Sequence, residues 1–401
     1  MATDKQRGDR LPYGALLALA MTGFICIVTE TLPAGLLPEI GTGLGISAAL
    51  AGQMVTVYAL GSLLAAIPLT IATQTWRRRT VLLLTIIGFL VFNTLTALSS
   101  VYWLTLIARF FAGVSAGLAW SLIAGYARRM VSPHLQGRAL AVAMVGTPIA
   151  LSLGVPLGTW LGVLMGWRMA FGLMSGLTLV LIAWVLIKVP DYPGQSSSQR
   201  MALRQVLFTP GVRSVLGVVL TWMLAHNILY TYIAPYVSTA GLSRHVDGVL
   251  LVFGTAALVG IWVTGRLVDR HLRAAVLVSI SAFATVSVFL GLFSGSPIAV
   301  FASVFVWGLT FGGAATLLQT ALADAAGEGA DVALSMNVVV WNSAIAGGGL
   351  LGGALLSEWG VGVFPWALLA LMLISLGIAF RARAHGFTAG DRRGGGAVSG
   401  H

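Results

Sequence analysis

Twelve long apolar runs, separated by short connections that are mostly basic, constrain this 401-residue chain more than any other feature. The runs fall at 12–37, 50–72, 80–99, 102–125, 139–164, 168–188, 212–237, 248–268, 274–293, 297–319, 332–356 and 361–381. Each is close to the roughly 20 residues that an α-helix needs to cross a bilayer core. Lipid offers no partner for backbone N–H and C=O groups, so a run of this length satisfies them within its own helix. Composition closes the alternative of a water-soluble fold. Only 9% of the residues are charged and 58% are apolar, against about 25% charged in soluble domains, and the mean hydropathy is +0.93. A soluble enzyme is excluded. The fold class that follows is an all-α membrane protein with twelve transmembrane helices, multi-pass in the cell (inner) membrane. Read as a signal peptide, the first run would need a cleavage site and a soluble domain after it, and neither is evident.

A net charge of +11 would suit a nucleic-acid partner, but its distribution points elsewhere. Of the 23 Lys and Arg residues, 20 fall in six clusters, each after an even number of runs. Typical clusters are Arg77-Arg78-Arg79 and Arg266, Arg270, Arg273. Cytoplasmic loops carry such an excess of positive charge, so both termini and the even-numbered loops are expected in the cytoplasm. The charge is a topology signal, and no nucleic-acid partner is expected. Cys26 is a single cysteine in an apolar run, which rules out a disulfide framework or a Cys-based metal site.

The longest interior polar stretch, Pro190 to Pro210, divides the runs into two sets of six. Five segments follow: a cytoplasmic tail at 1–11, a six-helix half at 12–188, a central cytoplasmic loop at 189–211, a second six-helix half at 212–383, and a Gly-rich tail at 384–401 expected to be disordered. Fifty glycines suit helices that approach closely in lipid.

Ionisable groups at membrane depth are costly and are functional candidates by default. Among Asp, Glu, Lys and Arg, only Glu30 and Arg109 fall well inside the runs. Run 1 ends about seven residues after Glu30, and run 4 begins about seven residues before Arg109. At roughly 1.5 Å per residue, both lie about 10 Å from the same boundary. Two readings stand: a proton-carrying carboxylate tuned by a cation, or a structural ion pair that lets both be buried. His226 lies mid-run with Asn227 and Tyr230 within one turn, and it reads either as a substrate or proton-relay group or as a histidine satisfied by a neighbouring helix. Trp120, Ser121 and Tyr230 fit a substrate cavity, although Trp120 and Tyr230 also fit plain interhelical packing. The amides Asn337, Asn342 and Gln319 are substrate contacts or interhelical hydrogen bonds.

Longer strings carry a family resemblance. The stretch Gly265-Arg266-Leu267-Val268-Asp269-Arg270-His271-Leu272-Arg273 matches G-x-L-x-D-R-x-x-R, the loop signature of the major facilitator superfamily. The equivalent first-half loop, Thr73 to Arg79, lacks the acid. Arg109, Gly113 and Gly117 are spaced as in the fourth span of proton-driven members. Gly154-Val155-Pro156-Leu157-Gly158 resembles the Gly/Pro motif of its exporters. Together with Thr29 to Pro38, Gly166-Trp167-Arg168, His226 to Pro235, Trp307-Gly308 and Trp341 to Gly347, the chain resembles the drug:proton antiporter branch that holds sugar-efflux, purine-nucleoside-efflux and chloramphenicol-resistance exporters.

That resemblance implies two six-helix halves that alternate access around a midplane cavity. It implies a conformational latch at Gly265, Asp269, Arg270 and Arg273, and an exporter motif at Gly154, Pro156 and Gly158. The expected activity is proton-coupled export of a small polar or amphiphilic solute by a monomer, in contact with substrate, protons and lipid. No cofactor or metal is expected, and no G-x-x-x-x-G-K-[ST] motif suggests ATP. The rival readings are a uniporter or importer of the same fold and, from another class, a membrane enzyme or sensor. The second rival sits poorly with six scattered histidines.

Overall fold

The computed structural model describes residues 11–73, 75–132, 136–194 and 203–388. Among them it is helical throughout, with no strand, and twelve helices are long and apolar enough to cross a membrane. In chain order these spans are Tyr13–Gly35, Ala48–Ala66, Arg78–Leu98, Tyr102–Arg129, Ala141–Met165 and Trp167–Lys188, then Val212–Thr231, Val246–Val268, Arg270–Leu292, Pro297–Ala326, Val332–Trp359 and Val361–Arg381. The observed ends lie within four residues of those read from hydropathy, except the ends of spans 2, 7 and 10, which differ by six or seven. Spans 8 and 9 are two helices that meet without an intervening loop at His271, which leaves helical geometry (φ −132°, ψ 33°).

The chain forms two compact units, residues 1–198 and 199–401. In the first, span 2 packs along span 4 and span 3 along span 6, with span 1 against spans 5 and 6. In the second, the segment of spans 8 and 9 packs along span 10, and span 7 against spans 11 and 12. Lipid is as apolar as leucine, so burial alone does not draw helices together, and small residues at the contact do. A Cβ on Gly113 would collide with the Tyr58 carbonyl, and one on Gly117 with that of Ser62. The second unit repeats this: Gly308 lies against the Phe253 carbonyl and Gly312 against that of Ala257.

Span 5 is not one regular helix. Pro148 and Pro156 lack the N–H that would continue the ladder, and a proline ring also crowds the carbonyl four residues before it. The chain turns at Val145, and a π-helical turn occupies Ala150–Gly154 immediately before the helix Val155–Met165. Beyond span 12 the chain packs back at Gly386 and Phe387. Phe387, which falls in the segment expected to be disordered, is fully buried.

Candidate functional site

Span 1 carries Glu30, and Pro33 lies one turn further along the same helix. Pro33 has no N–H to give, so the Thr29 carbonyl four residues earlier loses its helical donor. Arg109 of span 4 fills that gap. Its Nη1 donates to the Thr29 oxygen at 2.6 Å, Nη2 to the Glu30 main-chain oxygen at 3.2 Å, and Nε to the Met54 oxygen of span 2 at 3.2 Å. The guanidinium also lies 4.7 Å from the Tyr58 ring centroid and 5.6 Å from that of Phe171. Arg109 is fully buried and Glu30 is 8% exposed, and among the described residues they are the only buried Asp, Glu, Lys or Arg.

The depth argument thus brings the two residues together, but their contact differs from the expected one. Arg109 binds the main chain of Glu30 and not its carboxylate. The cation fastens spans 1, 2 and 4 together, while the carboxylate has no direct ionic partner among the described residues. Two groups near it escaped sequence reasoning. Tyr58 donates to the Cys26 carbonyl at 3.0 Å, and Asn93 of span 3 donates to the Thr29 hydroxyl at 3.0 Å. The signal for both was a polar atom inside an apolar run.

The Gly/Pro motif of span 5 faces this same helix. A Cβ on Gly154 would meet Phe24 and Val28 at 2.7 Å, and one on Gly158 would meet Leu32 at 2.8 Å. Pro156 opens the helix that follows the π turn. Span 5 is therefore shaped to lie against the Glu30 helix. Trp120 is half-buried, with its ring edge 3.4 Å from where a Cβ on Gly23 would sit. Ser121 is exposed; it donates to the Leu118 carbonyl at 2.8 Å and accepts from Thr70 at 2.7 Å.

In the second unit, His226 is surrounded by rings. Its imidazole stacks on Phe311 with centroids 3.7 Å apart and planes 10° apart, and Tyr230, Trp307 and Phe253 lie at 5.3, 5.3 and 5.7 Å. Span 7 supplies His226 and Tyr230, span 8 supplies Phe253, and span 10 supplies Trp307 and Phe311. Spacings of four residues (226 to 230, 307 to 311) put each pair on one helix face. The Nδ1 of His226 and the Nε1 of Trp307 are buried with no hydrogen-bond partner among the described residues. Phe253 and Phe311 gave no signal in the sequence, because a phenylalanine in an apolar run reads as core. Asn227 and Asn342 are buried, and each turns its amide N–H back onto its own helix, at Met223 (2.7 Å) and Val338 (2.9 Å).

At the loop ends, the proposed latch residues separate. A Cβ on Gly265 would meet nothing within 4 Å, and Arg270 is exposed. The side chain of Asp269 lies outside the described residues. Arg273 grips the end of span 12, donating to the carbonyls of Ala379 (3.1 Å), Phe380 (3.0 Å) and Phe387 (3.0 Å). Ala379 and Phe380 lie in the last turn of that helix, where carbonyls lack N–H partners.

The first unit, whose Thr73 to Arg79 loop lacks an acid, obtains one from elsewhere. Asp191, just past span 6, accepts from Arg77 Nε and from the Arg79 main-chain N–H at 3.2 Å. It thus caps the first turn of span 3, where an anion meets free N–H groups and the positive dipole end. Around it, Arg78 N–H donates to Tyr192 (2.9 Å), Tyr126 to Pro190 (2.7 Å) and Arg129 to Pro193 (2.9 Å). A modest desolvation cost raises the Asp191 pKa, but the hydrogen bonds and charges of Arg77 and Arg79 outweigh it and hold the carboxyl below its ordinary value.

A family model described as Major Facilitator Superfamily matches residues 19–349. The chain belongs to that superfamily. A probable sugar efflux transporter of Haemophilus influenzae (strain PittGG) is 29% identical over 374 residues, covering 92% of this chain and 93% of the relative. The purine ribonucleoside efflux pump NepI of Escherichia coli O6:K15:H31 (strain 536 / UPEC) is 31% identical over 357 residues, covering 87% and 89%. Among solved structures, a D-xylose-proton symporter superposes with a TM-score of 0.75 at 15% identity, covering 96% of this chain and 99% of that one. A bacterial homologue of the human lysosomal transporter Spinster gives 0.71 at 13%. These structural likenesses establish the fold. The protein is a multi-pass inner-membrane transporter of the major facilitator superfamily, and its relatives carry efflux names.

Proposed function

We propose that this transporter is a proton-coupled exporter, an antiporter that expels a small polar or amphiphilic solute by alternating access as protons enter. The solute class is a sugar, a nucleoside or a drug such as chloramphenicol. One observation carries the reading: Glu30 is the only buried carboxylate among the described residues, and the nearby cation leaves it free of a direct ion pair. A carboxylate held that way can gain and lose a proton without first breaking a salt bridge. Arg109, one carbonyl away, supplies the positive charge that keeps the empty carboxylate tolerable at membrane depth.

The efflux-named relatives support the direction of transport, and the Gly154, Pro156 and Gly158 face packed on the Glu30 helix supports a link between that helix and the exporter motif. Trp120, Ser121, His226, Asn227, Tyr230 and Asn342 are proposed to meet the substrate. Gly265, Asp269, Arg270 and Arg273 are proposed to steady the cytoplasmic face. The six basic clusters support cytoplasmic termini, and the proposed working unit is a monomer.

The test is efflux from proteoliposomes under an imposed pH gradient. Glu30→Gln should leave the protein folded and able to bind solute, yet abolish concentrative, pH-driven efflux. Uphill efflux that survives in Glu30→Gln would sink Glu30 as the proton carrier, and a wild type that moves solute only downhill and leaves the pH gradient intact would point to the uniporter or importer reading.

A further inference from the structure

We infer that the five-ring cluster of the second unit is a docking site for a planar heteroaromatic ring, that of a purine nucleoside, and that Phe311 holds the ring's place in this structure. The inference names the substrate class of the site just proposed and rests on that reading. Aromatic side chains that pack for their own sake settle offset or edge-on, with centroids roughly 4.5–7 Å apart. The other ring pairs of the cluster obey this, such as Phe253 and Trp307 at 4.5 Å and Tyr230 and Phe253 at 5.4 Å. His226 and Phe311 do not: at 3.7 Å and 10° they form a face-to-face stack, the arrangement in which a flat heterocycle sits on an imidazole. Phe311 is also the one member that is only half-buried, while His226, Tyr230, Phe253 and Trp307 are buried. It can swing aside without the rest of the cluster moving.

The polar atoms fit the same occupant. A buried donor or acceptor left unmade is costly, and in this cluster an indole N–H and an imidazole nitrogen both lack a partner among the described residues. A purine edge carries acceptors and donors side by side, N7 next to O6 or an exocyclic amine. A sugar makes poorer use of this site. Its saturated ring has no π face to lie on the imidazole, whereas a base does.

The experiment is equilibrium binding of inosine, guanosine and L-arabinose to the purified full-length protein in nanodiscs, read by tryptophan fluorescence and calorimetry. Stacking is worth about 1–3 kcal/mol per base, so His226→Leu should weaken nucleoside binding by about tenfold or more. Trp307→Phe keeps the ring and loses only the N–H, and should also weaken it several-fold. Phe311→Ala empties the ring's place and should tighten nucleoside binding while leaving arabinose unaffected. The Trp307→Phe change is small enough to keep the fold, and it decides the matter if His226→Leu does not fold. Nucleoside affinity unchanged in Trp307→Phe and Phe311→Ala, or arabinose binding as tightly as inosine, would overturn the inference. Efflux of another solute without nucleoside binding would also overturn it and leave the export reading standing. Nucleoside binding that responds to these variants without pH-driven efflux would support the site and sink the export reading.

Discussion

The two units share a scaffold and differ in what they mount on it. Gly113 and Gly117 press span 4 onto the carbonyls of Tyr58 and Ser62, and 195 residues further on Gly308 and Gly312 press span 10 onto Phe253 and Ala257. At the same offset the chemistry changes completely. Arg109 corresponds to Val304 and Tyr58 to Phe253, so a cation over a phenol in one unit becomes an aliphatic side chain and a member of an aromatic cluster in the other. Close helix packing in lipid depends on small residues at fixed spacing and tolerates little change, whereas the positions beside them are free to diverge. The first unit has used that freedom to bury a cation on main-chain carbonyls, and the second to gather rings.

Loss of Arg109 should do the greatest damage to this contrast. Arg109→Ala strips donors from three buried carbonyls on spans 1 and 2 and leaves Glu30 without its cation. By analogy with breaking other buried charged networks, the cost is about 3–5 kcal/mol. Thermal unfolding in detergent should show a large drop, and Arg109→Lys, which keeps charge but not the planar fork, should recover only part of it. An unchanged melting temperature would mean that the carbonyl contacts do not hold the unit together. Combining Arg109→Lys with Glu30→Gln sharpens the coupling idea: a shared shift in the pH profile of efflux is expected, and strictly additive effects would make the residues independent.

Next in size comes the scaffold itself. Gly113→Val and Gly308→Val each force a side chain into a backbone carbonyl that cannot turn away, and each should cost about 1–3 kcal/mol. Roughly equal losses are expected because both contacts are of the same kind. A loss confined to one unit would break the comparison. Gly265→Ala is the internal control: its Cβ meets nothing, and the helix should gain a few tenths to about 1 kcal/mol.

The smallest effect belongs to Asp191. Asp191→Asn removes a partly solvated pair with Arg77 and weakens the cap on span 3, so a stability loss below about 1 kcal/mol is expected. Its carboxyl is depressed in the folded state. The stabilisation is therefore present above the ordinary value of 3.8 and is lost as pH falls through the lower folded value. Hydrogen exchange at the first turn of span 3 should quicken at neutral pH in Asp191→Asn, and in the wild type only under strongly acidic conditions. Equal exchange in both proteins at neutral pH would show that the cap is not formed in solution.

Much of this was legible from the order of residues alone. Twelve helices follow from run length and the absence of water as a hydrogen-bond partner, because span formation is a local matter of hydropathy. The meeting of Glu30 and Arg109 was legible too, since depth along a helix converts directly into height in the membrane. Which atoms meet was not. Pro33 frees the Thr29 carbonyl, and only the packing of span 4 against spans 1 and 2 directs the guanidinium to main-chain oxygens in place of the carboxylate. Asp191 lies 112 residues from the Arg79 N–H it caps, and Phe311 lies 85 residues from the imidazole it covers. Hydropathy and periodicity report on neighbours a few residues apart, so the sequence determined the spans and the depth of each polar group. Which side chains face one another across helices was decided by interhelical packing, whose close contacts are set by small residues and backbone carbonyls distributed over the whole unit.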